Sequence, residues 1–237
     1  MGNVQTKAGS PLASRLTLKR IAMARTSFSK IKEGFRNPAA LALVMELQKA
    51  LHGCHTVLDL GCGCNSPAKF LNHCRLTGVD GYQPDLDKAR ENGTHDEYVF
   101  GDVREAESLF PGRKFDACIA LDVIEHLTKE DGWRMLKSME RLATKRVVIF
   151  TPNGFIPQFS EDGNLQQHLS GWEITEMRAA GYTVVGMHGP KSLRGEKAML
   201  KYRPRPVWSL ISVAMHYLQT RRHPEKAFSI FCLKRIT

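Results

Sequence analysis

The sequence predicts an α/β protein built on a doubly wound, mostly parallel sheet of seven strands. Three observations predict it. From Thr56 onward, short apolar runs alternate with helix-periodic stretches, the pattern of a parallel sheet with covering helices. Residues 115–121 form an apolar run interrupted only at Asp116, which suits a strand buried on both faces. The stretch VLDLGCGCNSPAKFL, residues 57–71, reads as a strand, a glycine turn and a helix start. That sequence of elements brings backbone N–H groups and a helix N-terminus to one point, where a nucleotide-like ligand can approach the main chain.

In chain order, residues 12–33 place Leu12, Leu16, Ile21, Met23, Phe28 and Ile31 at helical spacing among cations. They predict a helix that covers part of the ligand site or lies on an anionic surface. Asn37 and Pro38 then act as cap and first turn of a stronger helix running through Leu41, Leu43, Val44, Leu47 and Leu51 to Gly53. Strands follow at 56–60, 76–80, 97–100, 115–121 and 146–151, with a helix from Pro84 after the second. Ser66 is placed to cap a helix starting at Pro67. Ser170 and Glu173 read as a capping box opening a helix that stops at Gly181. Strands at 182–187 and 227–234 complete the sheet around an insertion, 188–226. Two units result: a basic helical extension, 1–37, and one α/β domain, 38–237, carrying the insertion before its last strand.

A chain of 237 residues suits one such domain plus an appendage. No apolar run approaches the roughly 18 residues that span a bilayer. Lys7, Arg15, Lys19 and Arg20 interrupt any signal-peptide core, so a cytoplasmic location is expected. The first six residues fit the M-G-x-x-x-S/T pattern for myristoylation of Gly2. Six cysteines do not describe a disulfide scaffold, and Cys54, Cys62, Cys64 and Cys74 lack paired C-x-x-C spacing. No metal is expected there.

The net charge of +10 is unevenly spread. Residues 1–36 carry eight Lys/Arg and one Glu, net +7; residues 191–237 carry eleven and two, net +9; the middle is net −6. Basic flanks suit an anionic partner such as a membrane surface, a nucleic acid or a phosphorylated substrate, or else a solvated face with no partner.

A dinucleotide loop has the form G-x-G-x-x-G, and here Ser66 stands where the third glycine belongs. Asp59, two residues before Gly61, is unhelpful beside a pyrophosphate and useful beside a cation. This arrangement resembles the first motif of class I S-adenosylmethionine (SAM) methyltransferases, D/E-x-G-x-G-x-G, with Asn65 in place of the last glycine. Asp122-Val123-Ile124-Glu125-His126-Leu127, after the fourth strand, resembles the carboxylate-x-x-Glu-His segment of the type 11, ubiquinone-pathway O-methyltransferase-like branch. The resemblance covers about residues 40–237 and is most specific over 57–127. It implies the Rossmann-like class I fold with an antiparallel last strand, and SAM as cofactor.

It also implies roles. Asp59, Gly61 and Gly63 seat the methionine part, Asp80 accepts from the ribose hydroxyls, and Asp102 with Val103 meets the adenine. Asp122 stands beside the cofactor, while Glu125 and His126 serve acid/base work, hold a divalent metal, or are structural. An attacking hydroxyl must lose its proton near neutral pH, which makes His126 the first candidate base and His168 the second. Asn153, His168 and Trp172 are expected on the acceptor side. Together with the strings around them they resemble a bacterial and archaeal branch associated with surface polysaccharides or glycolipids, so the acceptor is expected to be an oxygen, with nitrogen second, on a small or lipid- or saccharide-linked molecule.

The insertion puts Lys191, Arg194, Lys201, Arg203 and Arg205 before an apolar helix bearing Trp208 and Tyr217, with Arg221 and Arg222 after it. A basic lid, a helix lying peripherally on a membrane and a dimer interface are all compatible with that pattern. Two other functions stay open. An RNA or protein methyltransferase would use the basic ends to grip a polymer, though few aromatics interleave with those cations. An NAD-binding oxidoreductase is opposed by Ser66 and Asp59.

Overall fold

The computed structural model describes residues 38–158, 166–195 and 199–237. The expected helix over 12–33 and the Gly2 pattern lie outside them. Helix α1 (Pro38–Ala50) precedes β1 (Thr56–Leu60) and β2 (Arg75–Asp80). Then come α2 (Gln83–Glu91), β3 (Glu97–Phe100), α3 (Ala106–Leu109), β4 (Phe115–Leu121), α4 (Lys129–Leu142) and β5 (Ala143–Pro152). The chain finishes with α5 (Ile174–Ala179), β6 (Thr183–Pro190), α6 (Arg205–Met215) and β7 (Ala227–Arg235).

The strands make one seven-stranded sheet in the order β3-β2-β1-β4-β5-β7-β6. Pairing is parallel from β3 through β5, and β7 runs antiparallel to both β5 and β6. The apolar run of β4 after Asp116 has the reason its composition suggests. Cys118 and Ala120 face a core shared with Met135, Leu136 and Met139 of α4, while Ala117 and Ile119 face a second core with Leu43, Leu47 and Leu51 of α1. Strand order reverses between β1 and β4, which opens a crevice at the carboxyl ends of those strands.

Four boundaries differ from the sequence reading, each for a local reason. Ser66 Oγ accepts from the Ala68 N–H at 3.1 Å, yet the helix it caps is a single 3₁₀ turn, Pro67–Phe70, which is too short to supply a helix dipole. Strand β5 begins at Ala143 because α4 runs straight into it, Ala143 pairing with Phe115 and Thr144 Oγ1 donating to the Phe115 carbonyl at 3.2 Å. The capping box of α5 is Glu173 with Glu176, not Ser170 with Glu173. Ser170 is buried and its hydroxyl is already engaged, donating to Ile124 O at 3.2 Å and accepting from Trp172 Nε1 at 3.0 Å. Strand β6 continues to Pro190 through His188 and Gly189, whose φ values are 63° and 72°.

The insertion packs beside α1 and β6. Arg221 Nη2 pairs with Glu46 of α1 at 2.9 Å, and Ser212 Oγ donates to the His188 carbonyl at 3.1 Å. No helix among the described residues is long and apolar enough to cross a membrane.

Candidate functional site

The crevice at the strand-order reversal holds a cavity of about 940 Å³, near the top of the roughly 300–1,000 Å³ range of small-molecule sites. Its first wall is the loop after β1. Gly61 and Cys62 both donate to the Val79 carbonyl, at 2.8 and 2.9 Å, which fixes the loop against β2. Gly61 has φ +69°, and a Cβ there would stand 2.5 Å from Val123 Cγ2, so only glycine fits. Asp80 ends β2 inside the cavity. Its Oδ2 accepts from the Gly63 N–H at 2.7 Å and its Oδ1 from the Tyr82 N–H at 2.9 Å. Burial raises its carboxyl above the ordinary value, against the pull of those two donors.

Asp59 is placed elsewhere than expected. It is 1% exposed and is not part of the described cavity wall. Its Oδ2 accepts from Ser66 Oγ at 2.5 Å and meets His95 Nε2 at 3.1 Å, while Thr94 Oγ1 lies 2.9 Å from His95 Nδ1. A buried carboxylate needs such partners, and here they hold the glycine loop from behind. Nothing in the sequence pairs Asp59 with His95, 36 residues away.

After β3, Asp102 and Val103 line the cavity with Arg104, which the sequence reading missed. The Arg104 guanidinium grips Asp102 through Nη2 at 2.5 Å and Nε at 2.9 and 3.0 Å, and its own N–H donates to Asp102 Oδ1 at 2.9 Å. These bonds hold the Asp102 carboxyl below the usual range. Arg104 also reaches Asp131 at the start of α4, at 3.8 Å. Tyr82 and Phe100 add exposed aromatic faces to the same side.

The loop after β4 forms the opposite wall. Asp122 takes φ +55°, a left-handed conformation uncommon outside glycine, and its N–H donates to the Phe150 carbonyl at 2.8 Å. It faces the cavity, and the protein packed around it raises its carboxyl. Glu125 lies underneath, 3% exposed and outside the described cavity wall, accepting from Thr151 Oγ1 at 3.0 Å. Burial first, and Asp122 second, push Glu125 well above the carboxylate range.

His126 is part of the wall. Its Nδ1 lies 3.0 Å from the Gln167 carbonyl, which can only accept, so Nδ1 carries the proton and Nε2 is left as an acceptor. His168 is held in the same tautomer by the Ile156 carbonyl at 2.6 Å. The two rings are 4.9 Å apart, edge to face. Burial, then His168, lowers the pKa of His126, and the Gln167 bond only partly offsets this.

His168 is not in the described cavity wall, and neither are Asn153 and Trp172. Asn153 spends its amide on the carbonyls of Pro224 and Ala227, both at 2.9 Å, and Trp172 is fully buried. Both are anchors of the fold, while Gln166 and Leu169 line the cavity. Described residues of 188–226 supply none of this wall.

One group among the described residues could converge on a metal ion: Glu125, His126 and His168, whose ligand atoms all lie within 4.8 Å of one another. The clustered cysteines serve the fold. Cys74 Sγ donates to the Cys54 carbonyl at 3.3 Å, and burial pushes the Cys62 thiol up.

The wall carries five aspartates and a single arginine. Such a wall fits a cationic ligand and opposes a pyrophosphate, which is the physical case for a sulfonium cofactor over NAD. Residues 58–151 match the methyltransferase domain family. Three solved structures share the fold. One is a SAM-dependent methyltransferase from Archaeoglobus fulgidus (17% identity, 88% of this chain and 99% of that chain, TM-score 0.54). Another is TehB from Haemophilus influenzae (14%, 83% and 62%, TM-score 0.54). The third is the plantazolicin methyltransferase BpumL in complex with S-adenosylhomocysteine (16%, 94% and 97%, TM-score 0.51). No curated protein sequence matches the chain. Residues 58–151 thus carry a methyltransferase domain, on a sheet whose fold these solved methyltransferases share.

Proposed function

We propose that the chain transfers a methyl group to an oxygen, with nitrogen second, of a small or lipid- or saccharide-linked acceptor, and that His126 takes the acceptor's proton. The observation that carries this is the state of His126: on the cavity wall, neutral, with Nε2 unprotonated and its tautomer fixed by a main-chain carbonyl. SAM supplies an electrophilic methyl on a sulfonium that leaves as a neutral thioether. The new bond forms from the acceptor oxygen to that carbon as the carbon–sulfur bond breaks, and the hydroxyl proton passes to Nε2 of His126. Asp80 and the loop from Gly61 to Gly63 hold the cofactor, Asp102 and Val103 flank the β3 side, and Asp122 keeps the wall below the reacting centre polar. Positioning supplies much of the rate in such a displacement.

A second reading rests on the Glu125, His126 and His168 group. A divalent cation held by the two Nε2 atoms would acidify the hydroxyl instead. Full activity after exhaustive chelation removes this reading and leaves the base.

The deciding experiment supplies methyl-labelled SAM and the protein to an extract of the source organism, then separates lipid, saccharide, small-molecule, RNA and protein fractions. Label in the lipid, saccharide or small-molecule fraction supports the proposal. Label in RNA or protein overturns it and assigns the basic ends to gripping a polymer.

A further inference from the structure

Helix α6 is built inside out. The fully buried residues of this helix and the π turn after it, His216–Thr220, are Ser212, His216 and Thr220, spaced four apart, each no more than 2% exposed and all polar. The opposite face presents Val207, Leu210, Ile211, Tyr217 and Leu218 to solvent, with Leu210 and Leu218 at 66% and 78% exposure. On 3.6-residue periodicity these five fall within one stripe of about 120°, centred roughly opposite the buried positions. A surface helix normally buries its apolar stripe and exposes its polar one. Met45 of α1 extends the apolar face, 52% exposed and 4.0 Å from the Tyr217 hydroxyl.

The charge around this face is mainly positive. From 197 to 224 there is no Asp or Glu; Lys201, Arg203 and Arg205 precede the stripe, and Arg222 follows it beside Arg221, which pairs with Glu46 of α1. Tyr202 and Trp208 pack ring on ring, 4.7 Å apart, at the cationic entry of the helix, an amphipathic pair of the kind found at membrane–water boundaries.

We propose that α6 and the turn after it dock on an anionic lipid surface, the apolar stripe entering the boundary between headgroups and acyl chains and the flanking cations meeting the phosphates. This does not depend on which acceptor is methylated. Charge selects this occupant over a second copy of the chain. Both ends of the helix carry cations, so pairing it with another copy, parallel or antiparallel, sets like charges together. The chain's own residues 1–36, net +7, meet the same repulsion.

The test is co-sedimentation of the full chain with vesicles of phosphatidylcholine alone and with phosphatidylglycerol added, alongside a double variant, Leu210→Glu with Leu218→Glu. Both side chains are exposed, so the fold stands, which circular dichroism checks. The expected result is binding to the anionic vesicles only, weakened by salt, and reduced about tenfold or more in the double variant, as loss of inserted apolar area requires. Equal binding by parent and variant overturns the proposal and credits the basic ends alone. Absence of vesicle binding also overturns it, and if sedimentation equilibrium then shows a dimer that the variant dissolves, the face belongs to a second copy.

Discussion

On the β3 side of the cavity, Asp102 is clamped by Arg104 and held below the usual carboxylate range, so it is charged at any physiological pH. On the β4 side, Glu125 is buried with Asp122 beside it and both are raised, while His126 is lowered. The difference lies in whether a cation meets the carboxylate. Asp102 receives the Arg104 guanidinium as well as its N–H. Burial outweighs the two N–H donors of Asp80, and also the Thr151 hydroxyl and backbone N–H that serve Glu125. One wall is thus built to present fixed charge to a cationic cofactor, and the other to keep groups near neutrality, where a proton is exchanged at little cost.

Four measurements break or sharpen this contrast, taken from the largest effect down. His126→Ala is expected to reduce label transfer by about 10²–10⁴-fold, the usual worth of a general base, with SAM affinity unchanged. A matching loss of affinity would place His126 in cofactor binding instead. Asp80→Ala should do the reverse, weakening SAM at least tenfold, about 1.4 kcal/mol, with little change in melting temperature. Unchanged affinity by calorimetry would remove the ribose assignment.

Glu125→Gln tests the β4 wall through stability. A carboxyl whose folded pKa is raised contributes stability that is full below its unfolded value, 4.5, and is lost as pH rises through the folded value. Gln cannot ionise and keeps an acceptor for Thr151. The variant should therefore be more stable than the parent at pH 8, by about 1 kcal/mol, and no more stable near pH 5. A gain equal at both pH values would mean that Glu125 is not raised. The smallest effect is in the pH profile of transfer. With the His126 pKa lowered from 6.5, the rate should stay flat from pH 8 to 6.5 and fall only below that. A fall already at pH 7 would point to a different base.

The sheet was legible where one rule dominates. Strands at 97–100 and 115–121 match β3 and β4 residue for residue, each stopped by the Gly101 or Asp122 turn that follows it. Legibility fails where a side chain has two suitors. Ser170 looked like a cap but serves Ile124 and Trp172. Asp59 looked like a ligand contact, yet its Oδ2 serves Ser66 and His95. Asp102 was found, but not Arg104, since an arginine two residues on is as common on a solvated face as on an acid. The insertion showed its helical spacing plainly. The face that meets the protein was hidden, because the stripe that packs is the polar one.

The proton on His126 is placed by a main-chain oxygen, that of Gln167, and the same short segment ties back to the β4 loop through Leu169 and Ser170, whose N–H groups both donate to the Glu125 carbonyl at 2.8 and 3.1 Å. These three bonds use no side chain from the segment 167–170. Replacements at Gln166, Gln167 or Leu169 can therefore reshape what the acceptor meets and leave the tautomer of the histidine as it was. Selectivity is written in residues that can drift, and proton chemistry in a backbone that is inherited whole.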